Sequence, residues 1–251
     1  MEVVIIGTGN VATVLSKLIV RSGHTIIEVF GREYTEALAI AKIVGAKANN
    51  VLLDINTNAA IYIIAVSDDA IINISSSLLL QNKLVLHTAG SISKEVLKKV
   101  SNNYGVLWPL QTLRKKMEEI PTIPFVIDAS NHEAFMLLDK FAKSLSQQCF
   151  RANDAERIKL HLAAVAVSNF TNYLFALAEN YCNNEGLDFK LLLPLINETV
   201  KRIKHHSAKD LQTGPAVRGD FATIEKHLDL LKKYPDFKKV YQLLSDNIGH
   251  K

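Results

Sequence analysis

The chain has 251 residues, room for one large domain or two ordinary ones, and is 48% hydrophobic and 22% charged. Its net charge of +4 is scattered in short clusters such as Lys98-Lys99, Arg114 to Lys116 and Lys201 to His206, without interleaved aromatics. That pattern excludes the usual nucleic-acid surface and suits an anionic cofactor or substrate.

Val3 to Ile6 is an apolar run followed at once by Gly7-Thr8-Gly9-Asn10-Val11-Ala12. A 3.6-residue apolar pattern then continues through Val14, Leu15, Leu18 and Ile19. The spacing predicts strand, tight turn, helix. Gly7 turns the chain off the strand, Gly9 lets a pyrophosphate reach the backbone, and Ala12 lets helix and strand pack closely. The free N–H groups of the helix start, including those of Thr8, Asn10 and Val11, face the phosphates.

Thr25 to Phe30 reads as the second strand, running into Gly31-Arg32. An acidic residue at this strand end selects NAD and a cation selects NADP. Arg32 therefore favours NADP over NAD, because a guanidinium pairs with a phosphate in bidentate fashion. Glu28 is the competitor, read as inside the strand. Glu33 to Val44 is a helix closed by Gly45, and Asn49 to Asn58 is expected to be irregular. Ala60 to Val66 is nearly continuous in apolar residues, as in a strand buried on both faces. The Val66–Ser67 backbone at its end is expected beside the cofactor, and Asp68-Asp69 as an ordinary acidic helix start.

Lys83 to Leu86 is the next strand, leaving through His87-Thr88-Ala89-Gly90-Ser91. Small polar residues at a strand's C-terminal edge are where an open α/β sheet places its crevice. Thr88 is assigned to the cofactor and Ser91 to the substrate on that ground. Strands at Tyr104 to Trp108, Thr122 to Ile127 and Gln147 to Arg151 follow, with a helix at Asn131 to Leu145. Gln111, just past Pro109, is expected to line the same crevice. Alternating strands and helices imply a doubly wound α/β (Rossmann) sheet.

From Asn153 onward the strand pattern stops. Asp154 to about Tyr181 predicts one long helix, apolar on nearly all sides and therefore buried. Helices at Asp188 to Ile203, Phe221 to Lys232 and Phe237 to Ile248 surround a loop, Leu211 to Asp220. The expected domains are residues 1–152, binding NAD(P), and 153–251, all-helical, for substrate and dimerisation. Cys149 and Cys182 belong to no CxxC pair, which points to a reducing compartment. No signal peptide and no apolar run of transmembrane length is read, so cytoplasm and no membrane partner are the expectation. The adjacent His205-His206 diverge on a helix and lack neighbours at ligand spacing, so no metal site is expected.

Several of these pieces occur together: Gly7-Thr-Gly9-Asn10-Val-Ala12, Ala65-Val-Ser-Asp68-Asp69, His87-Thr-Ala-Gly90-Ser91, Trp108-Pro-Leu-Gln111-Thr112, Ser168-Asn169-Phe, and Thr213-Gly-Pro-Ala-Val-Arg218-Gly-Asp220. In them the chain resembles a bacterial family of Rossmann-like candidate oxidoreductases with a C-terminal helical domain of unknown function. That family is similar to ketopantoate reductase, 6-phosphogluconate dehydrogenase, pyrroline-5-carboxylate reductase and the coenzyme F420-dependent NADP reductases. The resemblance implies an N-terminal NADP domain and a helical domain that shapes the active site and dimerises. It also marks a departure. The 3-hydroxyacid dehydrogenase relatives carry a proton-donating lysine about one turn before the asparagine of the long helix. Here Val165 and Ala166 precede Asn169, so that mechanism does not carry over.

Hydride transfer to a carbonyl or imine needs a polarising donor and a proton source near neutral pKa. His87 is the first candidate for the proton, by its expected place at the crevice edge. His161 is its rival, on one helix face with Ser168 and, more loosely, Asn172. Asn169 is a candidate for orienting the substrate. Arg218 either binds a substrate anion or pairs with a carboxylate such as Asp220, itself expected to cap the next helix. The reading is an NADP-dependent oxidoreductase acting on a small anionic carbonyl or imine, as a homodimer. The alternatives are a non-catalytic dinucleotide sensor or scaffold, and a deazaflavin-dependent NADP reductase.

Overall fold

The computed structural model describes residues 1–249 and divides into two compact units, Met1–Ala166 and Val167–Lys251. The first contains one eight-stranded sheet in the order β3-β2-β1-β4-β5-β6-β7-β8. The strands are β1 Glu2–Ile6, β2 Thr25–Phe30, β3 Lys47–Asn49, β4 Ile61–Ile64, β5 Leu84–His87, β6 Tyr104–Pro109, β7 Phe125–Ala129 and β8 Cys149–Arg151. All neighbours run parallel except β6 and β7, which are antiparallel. The doubly wound α/β class read from the alternating pattern is the one found.

Successive residues of a strand point to opposite faces, so a sheet covered on both sides needs apolar residues at every position. In β1, Val3 and Ile5 enter one core while Val4 and Ile6 enter the other. In β4, Ile61 and Ile63 divide from Tyr62 and Ile64 in the same way. Three helices cover the first face: α1 Asn10–Arg21 through Leu15 and Ile19, α2 Tyr34–Val44 through Ala37 and Ile40, and α4 His132–Leu145 through Leu138 and Phe141. The other face is covered by α3 Asp68–Ser77 through Ile71. Each of these leucine, isoleucine and phenylalanine side chains contributes about 1.5–3 kcal/mol on burial.

The irregular stretch foreseen at Asn49 to Asn58 begins inside a strand that the sequence does not announce. Lys47–Asn49 lacks apolar alternation and is held as an edge strand by pairing to the Glu28–Phe30 main chain. Asparagine chemistry then sets the loop: Asn49 accepts from the Val51 N–H at 2.8 Å, and Asn56 from the Asn58 N–H at 2.9 Å.

The long helix forms in three parts: α5 Asp154–Ala164, a π-helical stretch Val165–Phe170, and α6 Thr171–Asn184. Asn153 and Glu156 start it with a reciprocal capping box. Two expectations are corrected here. Apolar residues all round predict burial, yet Leu162 is 70% and Val167 75% exposed. The wide π turn also breaks the 3.6-residue register, so the shared face read for His161, Ser168 and Asn172 does not carry through. A further correction concerns length. With its charges confined to the first turns and to Glu179 near its end, Asp154–Asn184 is, by length and composition alone, long and apolar enough to cross a membrane.

The second unit contains α6, α7 Leu193–Arg202, α8 Phe221–Leu230 and α9 Pro235–Gly249, with no strand among the described residues. Tyr181 packs edge-on against Tyr234 and Phe237. Its apolar interior is small. Cys182 and Leu231 are its buried hydrophobic residues, whereas Leu191, Leu195, Phe221 and Leu243 are all exposed.

Candidate cofactor cleft and the neighbouring strand edge

The C-terminal ends of β1, β2 and β4 open into one cavity of about 850 Å³. Gly7, Thr8, Gly9, Asn10, Val11, Arg32, Val66 and Ser67, all assigned to the cofactor, line it together. Sequence reasoning missed Glu33, Glu36 and Leu52, which line it too. Glu36 carried a usable signal, since the first turn of α2 follows directly on Arg32.

The two glycines of the opening motif do different work. Gly7 sits at φ +132°, and a Cβ there would lie 2.2 Å from the Ala65 carbonyl oxygen. Gly7 is thus required by backbone packing of β1 against β4. A Cβ on Gly9 would meet nothing within 4 Å. Its missing side chain keeps space open at the start of α1. That helix begins with no side-chain cap and no acidic residue in its first turn. Uncapped N–H groups with a positive dipole end fit an anion. The residues present therefore fit a dinucleotide pyrophosphate, held by the backbone of Thr8 to Val11. The Asn10 side chain is engaged elsewhere, accepting from the Lys115 N–H at 2.9 Å.

At the end of β2 the competing residues separate. Glu28 is buried, accepting from Asn49 at 3.1 Å and from the Asn56 N–H at 3.3 Å. It does not line the cavity. Arg32 is exposed, lines the cavity, and makes no ion pair among the described residues.

The neighbouring edge, at the end of β5, is closed. His87 is fully buried, and its Nδ1 accepts from the Ala89 N–H at 3.2 Å. Burial first, and then the Arg157 guanidinium, lower its pKa to about 4, against the pull of the Ser93 backbone, Asp154 and Asp68. The sequence places His87 at the crevice edge with a pKa near neutral; it is instead buried and bonded to the backbone, with its pKa lowered. Nor does Thr88, which is buried, line the cavity. Ser91 donates to the Asp68 carboxylate.

The lid over this edge is the first part of the long helix. Arg157 is 1% exposed. Its Nη2 donates to the Ile92 carbonyl and pairs with Asp154 at 2.8 Å. Asp154 also accepts from the Ser93 hydroxyl and from the Lys94 N–H. These bonds hold its carboxyl below the usual range, against the desolvation that would raise it. One turn on, the His161 ring lies 5.6 Å from the Trp108 ring. A Cβ on Gly90 would lie 2.6 Å from His161 and 2.8 Å from Trp108. The boundary between compact units therefore falls at residues 166 and 167, inside the long helix, although the composition shifts near residue 152.

Gln111 is exposed, and its side chain accepts from the Thr112 N–H at 2.9 Å. Asn169 and Arg218 are both exposed and belong to the second unit. Asp220 caps α8, accepting from the Thr223 N–H at 3.1 Å and its hydroxyl at 2.8 Å. Those bonds, with a smaller contribution from Arg218, lower its pKa.

Comparison with known proteins agrees with this architecture. Residues 2–90 match the family described as NADP oxidoreductase coenzyme F420-dependent, and residues 123–248 match a domain of unknown function, DUF2520. The chain belongs to the family that joins these two domains. BF3122 from Bacteroides fragilis, a candidate NADP oxidoreductase, is 37% identical over 100% of this chain and 98% of its own, with a TM-score of 0.93. Protein TM1727 from Thermotoga maritima is 23% identical over 98% of this chain and 96% of its own, with a TM-score of 0.71. A reductive aminase from Aspergillus terreus, solved with NADPH and ethyl-5-oxohexanoate, is 14% identical over 98% of this chain and 92% of its own, with a TM-score of 0.74. No curated protein matches the sequence. The fold is that of NAD(P)-dependent oxidoreductases.

Proposed function

We propose that the protein is an NADP-dependent reductase of a small, anionic carbonyl or imine substrate. One observation carries the nucleotide choice: Arg32 lines the cleft without an ion-pair partner, while Glu28 is bonded to Asn49 and Asn56. The bound cofactor would supply a hydride. The chain's own part is to hold the pyrophosphate on the Thr8 to Val11 backbone and to meet the 2′-phosphate with Arg32. The Val66–Ser67 backbone guides the nicotinamide end. His161 is the preferred proton source, because His87 is buried and neutral well below pH 7. Asn169 orients the substrate, and Ser91, Gln111 and Arg218 bind its polar groups.

We also propose a homodimer in the cytoplasm. The exposed Leu162, Val167 and Phe170 of the long helix, with Leu191 and Leu195 beyond, support it, since a second copy would remove them from water.

The test is a titration of NADPH and NADH by fluorescence and thermal shift. Arg32→Ala should weaken NADPH by at least about tenfold and NADH by less than about threefold, as expected for loss of a charge-assisted pair. Equal losses would refute the NADP assignment. NADPH oxidation is then followed with a panel of 2-keto acids, aldehydes and imines. A second reading, a dinucleotide-binding sensor without turnover, is favoured by the apolar residues before Asn169 and by the closed-in His87. Tight NADPH binding with no oxidation on any of the panel, or with a deazaflavin, would select it.

A further inference from the structure

Thr8 stands between the glycine turn and the strand end that carries Arg32. Its methyl group rests on Gly31, where a Cβ would lie 2.3 Å from Thr8 Cγ2. Its hydroxyl donates to Glu36 Oε2 at 2.5 Å. The bond tethers an exposed side chain from the first turn of α2 to the wall of the cleft, instead of leaving it to solvent. Arg32, Glu33 and Glu36 line that same cavity, yet no ion pair joins Arg32 to either glutamate. The lining of one cleft thus includes a cation without an ion pair among the described residues and a tethered carboxylate.

We propose that Glu36 is a second determinant of nucleotide choice and opposes Arg32. This rests on the dinucleotide reading of the cleft. A 2′-phosphate drawn by Arg32 enters the field of the Glu36 carboxylate. A 2′-hydroxyl carries no charge and does not feel it. The Thr8 hydrogen bond holds the carboxylate where this field is felt. The consequence is a narrowed preference: Arg32 raises NADPH affinity, Glu36 takes part of the gain back, and NADH remains a usable ligand.

The experiment measures dissociation constants of NADPH and NADH on the full chain, by nicotinamide fluorescence, for the wild type, Glu36→Gln, Thr8→Val and Arg32→Ala. Glu36 is exposed, so Glu36→Gln should leave the unfolding midpoint nearly unchanged. It should tighten NADPH by at least about threefold, as expected for one like charge removed at short range in a high-dielectric cleft. NADH should change by less than about twofold on the same ground. The tightening should fade as ionic strength rises from about 0.05 to about 0.5 M. Thr8→Val frees the carboxylate and should tighten NADPH in the same direction, by less. If Glu36→Gln leaves the NADPH-to-NADH ratio unchanged while Arg32→Ala collapses it, this inference falls and the NADP reading stands. If Glu36→Gln selectively weakens NADH, Glu36 is a ribose-hydroxyl acceptor and the opposing role is overturned. If the wild type binds neither nucleotide, the dinucleotide reading itself falls.

Discussion

Two neighbouring strand edges of one sheet end in opposite ways. At β1 and β4 the edge is left open, with Gly9 facing empty space and helix N–H groups uncapped. At β5 it is shut, with His87 and Arg157 buried and the 92–94 backbone bonded to Asp154 and Arg157. Both edges carry the same small, polar residues. What separates them is what comes down on top: the start of the long helix covers the second. The difference teaches that a crevice is defined by the element that fails to cover it.

The strongest way to break this contrast is to cut the clasp. Arg157→Met should lower stability by about 3 kcal/mol, within the range for breaking a buried ion pair, while NADPH affinity stays within about twofold. Chemical denaturation and nucleotide titration on the same variant check both halves. A loss of affinity as large as the loss of stability would mean that the two edges are one site.

The next effect is in pH. The folded-state pKa of His87, lowered to about 4, lies below the ordinary value near 6.5, so the unfolded chain binds the extra proton. Stability from this residue is full above about pH 6.5 and lost as pH falls toward 4, by about 2–3 kcal/mol. His87→Phe should flatten the stability profile in that window. An unchanged profile would show that the acid sensitivity resides elsewhere.

A pair of glycine substitutions sharpens the comparison at the smallest scale. Gly90→Ala drives a methyl into His161 and Trp108 and should cost about 1–3 kcal/mol, the usual penalty for overpacking. Gly9→Ala meets no atom and sits at φ −73°, so its folding cost should stay under about 1 kcal/mol. NADPH binding should nonetheless weaken by about tenfold, because the methyl stands where the backbone must approach the phosphates. Melting temperatures and binding constants of the two variants should therefore move in opposite columns.

The open edge was legible in the sequence because all its parts are local. Gly7, Gly9 and Ala12 fall within six residues, and Arg32 follows at the end of the very next strand. The closed edge was not. His87-Thr-Ala-Gly-Ser reads as a crevice by every local rule, and its burial depends on Arg157 and His161, far along the chain. The long helix shows the same limit from the other side. Its apolar character is plain, but whether a partner covers Leu162 and Val167 is not written in its periodicity. The π turn is equally silent, since Val165–Phe170 holds no proline or glycine to mark a break in the helix.

Trp108 is the only tryptophan in the chain, and it lies against His161 at the shut edge. The molecule thereby carries a built-in optical gauge at the place where the long helix meets the sheet. Indole emission responds to the polarity and charge of its immediate neighbours. Any protonation of the imidazole, or any lifting of the helix away from Gly90, would be read directly in that single signal, without a label and without knowing the substrate.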